Sequence, residues 1–233
     1  MKKKKIGVLT GAGISAESGL KTFRDSDGLW ENYSVYEVAT PMAWERDPAL
    51  VIKFYRDRWL QIKKAKPNAA HLGLAKLEED YDVVVITQNI DDLHERAGST
   101  KTLHLHGIIT QVSSSKNPDL VYEWEEKEYI KVGDLDPQGD QLRPHVVWFG
   151  EPVPALIEAA EIISTCDALC IIGTSLQVYP AANLFRYLPE DKPIFMLDPG
   201  NMSHFKPKNP YVYISKGAVE GIGELTKRIK EKL

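Results

Sequence analysis

The sequence predicts an α/β fold, a parallel sheet with helices on both faces plus a smaller inserted module. Short apolar runs ending in glycine or a polar turn alternate with longer stretches of helical period, as in a sheet whose parallel strands are joined by helical crossovers. The first run leads straight into the small-residue turn Gly11, Ala12, Gly13. Two regions, 21–66 and 108–144, break the alternation, and the first separates neighbouring strands by about twice the usual crossover.

In chain order the predicted strands are Lys5 to Thr10, Asp82 to Thr87, Lys101 to Leu105, Ala168 to Gly173, Pro193 to Leu197 and Tyr211 to Ser215. Between the first two, Leu50, Val51, Phe54, Tyr55 and Trp59 recur at helical spacing, with Lys53, Arg56 and Asp57 mostly on another side, so Pro48 to Lys64 reads as an amphipathic helix. Asn68 suits an N-cap, because its side-chain oxygen can accept a first-turn amide, and the helix after it carries Leu72, Ala75 and Leu77. A last helix is predicted from near Val219, with lysines and an arginine weighting its negative dipole end. Region 108–144 is polar, charged and without clear period. One domain, 1–233, follows: a core of about 1–20, 67–107 and 145–233, an inserted helical segment of about 21–66, and a reduced small module of about 108–144.

At 233 residues and 43% hydrophobic the chain is long enough for a large core. A net charge of −4 provides no broad basic field, so nucleic acid is not an expected partner. No run reaches the roughly 18 apolar residues of a membrane helix, and Ile6 to Leu9 is too short for a signal-peptide core, so no membrane partner and a cytoplasmic location are expected. Cys166 and Cys170 share the apolar run CDALCIIG. As strand residues they would lie roughly 13 Å apart, too far for a disulfide, and they read as small core residues.

The turn GAGISA, from Gly11 to Ala16, has the form of a dinucleotide fingerprint with alanine in the third small position. Glycines there let backbone approach a pyrophosphate, and the helix N-terminus after them offers amides and a positive dipole end. No second strand ending in an acidic ribose ligand follows about 20 residues on, which argues against an ordinary dehydrogenase. Instead GAGISAESG (11–19) is followed by FRDSDGLW (23–30), TQNIDDLH (87–94), LHG (105–107), RPHVVWFGE (143–151) and GTSLQVYPAA (173–182). With these motifs in this order across nearly the whole chain, the sequence resembles the sirtuin family.

The resemblance implies a Rossmann-like parallel sheet and an enzyme that consumes NAD as co-substrate. Such an enzyme removes acyl groups from the lysine side chains of proteins, releasing nicotinamide and passing the acyl group to ADP-ribose. It places Gly11, Ala12, Gly13, Ala16, Phe23, Arg24, Trp30, Gln88, Asn89, Ile90, Asp91, Gly173, Thr174, Ser175, Asp198 and Ala218 around NAD. Asn89 and Asp91 would orient the nicotinamide amide and nearby ribose groups, and Phe23 would shield the reactive carbon. His106 matches the general base, a task suited to an imidazole of ordinary pKa ~6.5. His104, two residues earlier, is the competing choice, and Gly107 after His106 decides between them by the family pattern. Where the family has an asparagine two residues before the acidic residue of the adenosine ribose, this chain has Met196, leaving Asp198 as the ribose carboxylate. The acyl-lysine backbone would lie along Val147, Trp148, Phe149 and Gly150 as an added strand.

Ala39, Tyr55 and Arg58 match the positions with which a subset of sirtuins recognises acidic acyl groups such as succinyl and malonyl. Three apart on one helix, Tyr55 and Arg58 share a face, and a guanidinium can take a carboxylate bidentately. Most relatives carry two cysteine pairs that bind a structural zinc after the catalytic histidine. Region 108–144 has neither cysteine nor histidine, with Ser113, Ser114 and Ser115 near the first pair's place, so a zinc-free module is expected, held by Val121, Tyr122, Trp124 and Tyr129. Two other readings share the pocket. The acidic-acyl residues argue against an ADP-ribosyltransferase, and the intact His106, Asn89 and Asp91 set argues against a noncatalytic ADP-ribose-binding module.

Overall fold

Each of the six apolar runs forms a strand of one parallel sheet. A computed structural model describes residues 2–21, 29–30, 33–124 and 128–233, with backbone alone for Leu29 and Trp30. The strands are β1 (Lys5–Thr10), β2 (Leu29–Trp30), β3 (Tyr33–Ser34), β4 (Asp82–Thr87), β5 (Thr102–His104), β6 (Gly107–Ser114), β7 (Val121–Glu123), β8 (Leu142–Val146), β9 (Ala168–Ile172), β10 (Ile194–Leu197) and β11 (Tyr211–Ile214). The helices are α1 (Gly13–Ala16), α2 (Val35–Val38), α3 (Pro41–Arg46), α4 (Pro48–Lys64), α5 (Ala69–Leu77), α6 (Leu93–Arg96), α7 (Leu156–Ser164) and α8 (Ala218–Lys232), with a 3-10 helix over Ala181–Tyr187.

The large sheet has the order β11-β10-β9-β1-β4-β5. From β1 the chain moves outward to β4 and β5, then returns to lay β9 against the other side of β1. This reversal opens a crevice at the carboxyl ends of β1, β4 and β9, where open α/β sheets bind ligands. Alternation along the strands feeds two cores. Ile6, Val8 and Val85 pack with Leu74 of α5 and Leu225 and Ile229 of α8 on one face. Leu9, Ile86 and Ile171 pack with Ile163 of α7 and Leu184 on the other.

The inserted segments meet each other in a third core. Val51, Phe54, Trp59 and Ile62 of α4 pack against Ile109, Val112, Ile130 and Leu142, on and around a three-stranded antiparallel sheet of order β7-β6-β8. That sheet spans Gly107 to Val146, and its outer strands share β6 as partner. Of the residues expected to hold it, Tyr129 is buried and Tyr122 and Trp124 are partly so, but Val121 is exposed.

Two further expectations shift. Leu72 is 53% exposed, and α5 instead buries Ala70, His71, Leu74 and Leu77. Cys166 precedes β9, in the turn that ends α7, where its thiol donates to the Ile162 carbonyl at 3.2 Å. Both cysteines are buried and free.

Candidate active site

The crevice holds a cavity of about 470 Å³, within the range of small-molecule sites. Gly11, Ala12, Gly13, Ala16, Gln88, Asn89, Ile90, Asp91, His106, Gly173, Thr174, Ser175, Asp198 and Ala218 line it. Ala39, Tyr55, Arg58, Val147, Trp148, Phe149 and Gly150 line the same cavity. Phe23 and Arg24 lie outside the described residues, as does the Trp30 side chain.

The glycine turn is built by close approach of two strand ends. A Cβ on Gly11 would lie 2.7 Å from the Thr174 Cβ, and one on Gly13 would lie 2.8 Å from the Gly173 Cα. Their amides are occupied as well, Gly11 donating to Ile172 at 3.1 Å and Gly13 to Gly173 at 2.9 Å. The helix behind the turn has only four residues, with Ile14 and Ser15 donating to Gly11 and Ala12. The glycines are therefore required by the packing of the two strand ends, and the helix behind them is a single short turn.

Beneath it lies a layer of buried polar groups. Asn89 donates its side-chain amide to the Gly11 carbonyl at 3.2 Å and to Ser15 Oγ at 3.3 Å. Ser15 Oγ donates to Asp91 Oδ2 at 3.0 Å, and Asp91 Oδ1 accepts the Leu93 amide at 3.2 Å. Burial pushes the Asp91 carboxyl above its usual range, opposed by those two hydrogen bonds. His71 Nδ1 lies 3.3 Å from the Asn68 amide nitrogen and 3.1 Å from Asn68 Oδ1, and its Nε2 lies 3.4 Å from Ser15 Oγ. His94 Nε2 lies 3.1 Å from Thr10 Oγ1, and the two imidazoles stack edge to face at 4.9 Å. Burial pushes His71 down to about 4 and His94 to about 3, so both rings are neutral. None of Ser15, Asn68, His71 and His94 was singled out as a site residue from the sequence, although Ser15 lies inside the glycine motif.

Two histidines two residues apart are separated by their partners. His104 ends β5 with both nitrogens engaged, Nδ1 at 3.0 Å from the Asn89 carbonyl and Nε2 at 2.9 Å from Glu95. Burial lowers its pKa, but Glu95 and the Asn89 carbonyl outweigh it and leave a net rise. His106 lines the cavity and places Nδ1 3.0 Å from the Gln88 carbonyl. A carbonyl only accepts, so Nδ1 carries the proton and Nε2 keeps a lone pair. Burial lowers the His106 pKa, with the Gln88 contact opposing. Gly107 turns the chain at φ +76°, where a Cβ would strike the His145 carbonyl, so the small residue after His106 is required by the turn into β6.

At the other end of the crevice Asp198 is buried and accepts the Gly200 amide at 2.7 Å. Met196 is fully buried in the sheet core, away from the cavity, so the substitution noted there does not reshape the lining. Glu17, not anticipated, accepts the Val219 amide at 2.8 Å and so caps α8 beside Ala218. Along 147–149 the amides turn inward: Val147 donates to His106 at 2.9 Å, Trp148 to the Glu151 carboxylate at 2.7 Å and Phe149 to Ala39 at 3.0 Å. These three amides are therefore already engaged within the chain. Among the described residues no group of three or more His, Cys, Asp or Glu is arranged to hold a metal ion, and no helix is long and apolar enough to cross a membrane.

A model of the Sir2 family matches residues 11–180. An NAD-dependent protein deacylase of Helicobacter pylori is 49% identical over 228 residues, covering 98% of each chain. One from Bacteroides thetaiotaomicron is 50% identical over 226 residues, covering 95% of this chain and 96% of its own. Among solved structures, a Sir2 homologue in complex with NAD superposes with a TM-score of 0.84 at 38% identity, over 98% of this chain and 90% of the other. A Sir2 structure with a p53 peptide and NAD gives 0.77 at 30% identity, over 99% and 95%. A crevice at the strand reversal, a glycine cradle and a family match across most of the sequence agree, and the chain belongs to the Sir2 family.

Proposed function

We propose that this protein is a cytoplasmic NAD-dependent protein-lysine deacylase that removes acetyl, succinyl and malonyl groups, with acidic acyl groups preferred. The observation that carries the reading is the convergence of three parts on one cavity: the glycine cradle, the Gln88 to Asp91 segment with His106, and the Ala39, Tyr55 and Arg58 set. NAD supplies the ADP-ribosyl group, with nicotinamide as leaving group and the ribose as acyl acceptor. The lining fits such a ligand, because Gly11, Ala12, Gly13 and Gly173 bring no long side chain into the cavity, and the close packing of Gly11 and Gly13 on Gly173 and Thr174 joins the two strand ends beside it.

Gly11, Ala12, Gly13 and Gly173 to Ser175 hold the phosphate and ribose portion, and Asp198 and Ala218 the adenosine end. Asn89, fixed by Gly11 and Ser15, and Asp91, fixed by Ser15 and Leu93, present polar groups that cannot swing away. Held rigid, they orient a ligand with little entropy left to lose. Phe23, Arg24 and Trp30 complete the NAD side by family resemblance. His106 Nε2 takes a proton from a ribose hydroxyl, and the Gln88 carbonyl stabilises the imidazolium through Nδ1. Val147 to Gly150 line the acyl-lysine path.

Tyr55 and Arg58 are both buried on the cavity face of α4, and the Arg58 guanidinium also donates to the Lys21 carbonyl at 3.2 Å. A buried guanidinium favours an incoming carboxylate because water competes weakly there. No zinc is part of this reading, since 108–144 offers neither cysteine nor histidine as a ligand. The test is a panel of acetylated, malonylated and succinylated lysine peptides with NAD. The wild type should favour the acidic acyl groups, and Arg58→Met should lose about tenfold or more on them while keeping acetyl turnover. Unchanged acidic-acyl turnover in Arg58→Met would sink the pocket assignment.

A further inference from the structure

The two ends of the segment Arg143 to Glu151 have no role in the chemistry above, yet they form a bidentate ion pair beside the cavity. Arg143, on β8, is only 8% exposed. Its Nη1 donates to Glu151 Oε1 at 2.8 Å, and its Nη2 to Glu151 Oε2 at 3.2 Å and to the Val146 carbonyl at 2.9 Å. Its guanidinium carbon sits 3.3 Å from the centre of the Trp148 ring. Glu151 answers by accepting the Trp148 amide at 2.7 Å, while its own amide donates to the Trp148 carbonyl at 3.0 Å. The turn 148–151, with Gly150 at φ +95°, is thus tied at its carboxylate end, its backbone and its indole face by one ion pair.

What the pair holds is a wall of the acyl path. Trp148 is 2% exposed, lines the cavity with Tyr55, and leans on Trp44 with ring centres 5.6 Å apart. Burial raises the Tyr55 pKa, and Trp148 and then the Arg143 charge oppose that rise, so the cluster and the Tyr55 hydroxyl sit within electrostatic reach. Arg143 itself is behind the wall. A planar fork can bridge two carboxylate oxygens and a carbonyl while stacking on an indole, whereas an ammonium cannot do all of these at once.

We propose that the Arg143 and Glu151 ion pair is the positioning device of the acyl-lysine path, setting the Trp148 indole against Tyr55 and so the width of the channel. The proposal rests on the deacylase reading. It is tested by steady-state kinetics on Arg143→Lys and Glu151→Gln, with KM measured separately for acylated peptide and for NAD. The expected result is a peptide KM raised about tenfold in either variant, with the NAD KM and the kcat at saturation within about twofold. The double variant Arg143→Met with Glu151→Gln, which leaves no buried charge unpaired, should recover thermal stability relative to Arg143→Met alone without recovering peptide KM. A purely structural pair would move both KM values and the stability together, and that outcome, or an unchanged peptide KM in a folded variant, overturns the proposal. Absence of acyl-peptide turnover in the unmutated chain would overturn the deacylase reading and this proposal with it, and it is read before any variant is made.

Discussion

At His106 the Nδ1 proton is committed to the Gln88 carbonyl, so the nitrogen left for proton transfer is Nε2, and burial shifts the ring toward its neutral form. The neutral form is the reactive base, so a lowered pKa extends the active range to the acid side. The kcat/KM profile should be level through pH 7 and fall only at a pH below the ordinary value of ~6.5. A limb above that value would contradict the assignment. His106→Ala should lower turnover by about 10²-fold or more while NAD affinity, measured by calorimetry, stays within a few-fold. The motif around His106 was legible through its family resemblance, and the structure gives its physical reason in the positive φ of Gly107. What the sequence could not supply was the fate of His104, since Glu95 reaches it from α6, nine positions back. Ser15, His71 and His94 were equally hidden, because their roles come from packing α5 and α6 under the glycine turn.

The strands and helices of the large sheet could be read because their signals are local. Aliphatic runs mark β1, β4, β9, β10 and β11, and an N-cap marks α5. Asn68 shows the limit of such signals. Its Oδ1 accepts the Ala70 amide at 2.9 Å, as capping predicts, but its Nδ2 also donates to the Ile14 carbonyl at 2.8 Å and Ser18 Oγ at 3.0 Å. The residue fastens α5 to the glycine turn as well as starting the helix. Asn68→Asp should keep the cap and lose the two donations, costing about 1–2 kcal/mol, and Asn68→Ala should cost about 1 kcal/mol more. Urea unfolding would measure both, and equal stability of the two variants would contradict the dual role. The sheet β7-β6-β8 was not legible. Buried positions follow one another in β8 and at the end of β6 instead of alternating, and a register shift between Gly107 and Val112 interrupts the pairing, so a periodic reading has nothing to follow.

Two neutral histidines at the centre of the molecule make its stability depend on acid. Unfolding frees His71 and His94 to bind protons near the ordinary ~6.5, while burial holds them at about 4 and about 3 in the folded chain. Between those limits the unfolded state binds more protons, so stability is full above the unfolded pKa and falls as pH drops. The slope is about 1.4 kcal/mol per pH unit for each ring. Urea midpoints from pH 7 to 5 should show that decline, and His71→Gln should make it shallower; an identical slope would contradict the linkage. The same centre supports the chemistry, since the Ser15 hydroxyl that meets His71 also holds Asn89 and Asp91. The most direct test of that chemistry is nicotinamide release by purified protein given NAD and a lysine-acylated peptide. Nicotinamide should appear in equal amount to the acyl groups removed and should require the acylated lysine. No release with any acyl peptide, or release at the same rate without one, would contradict the account.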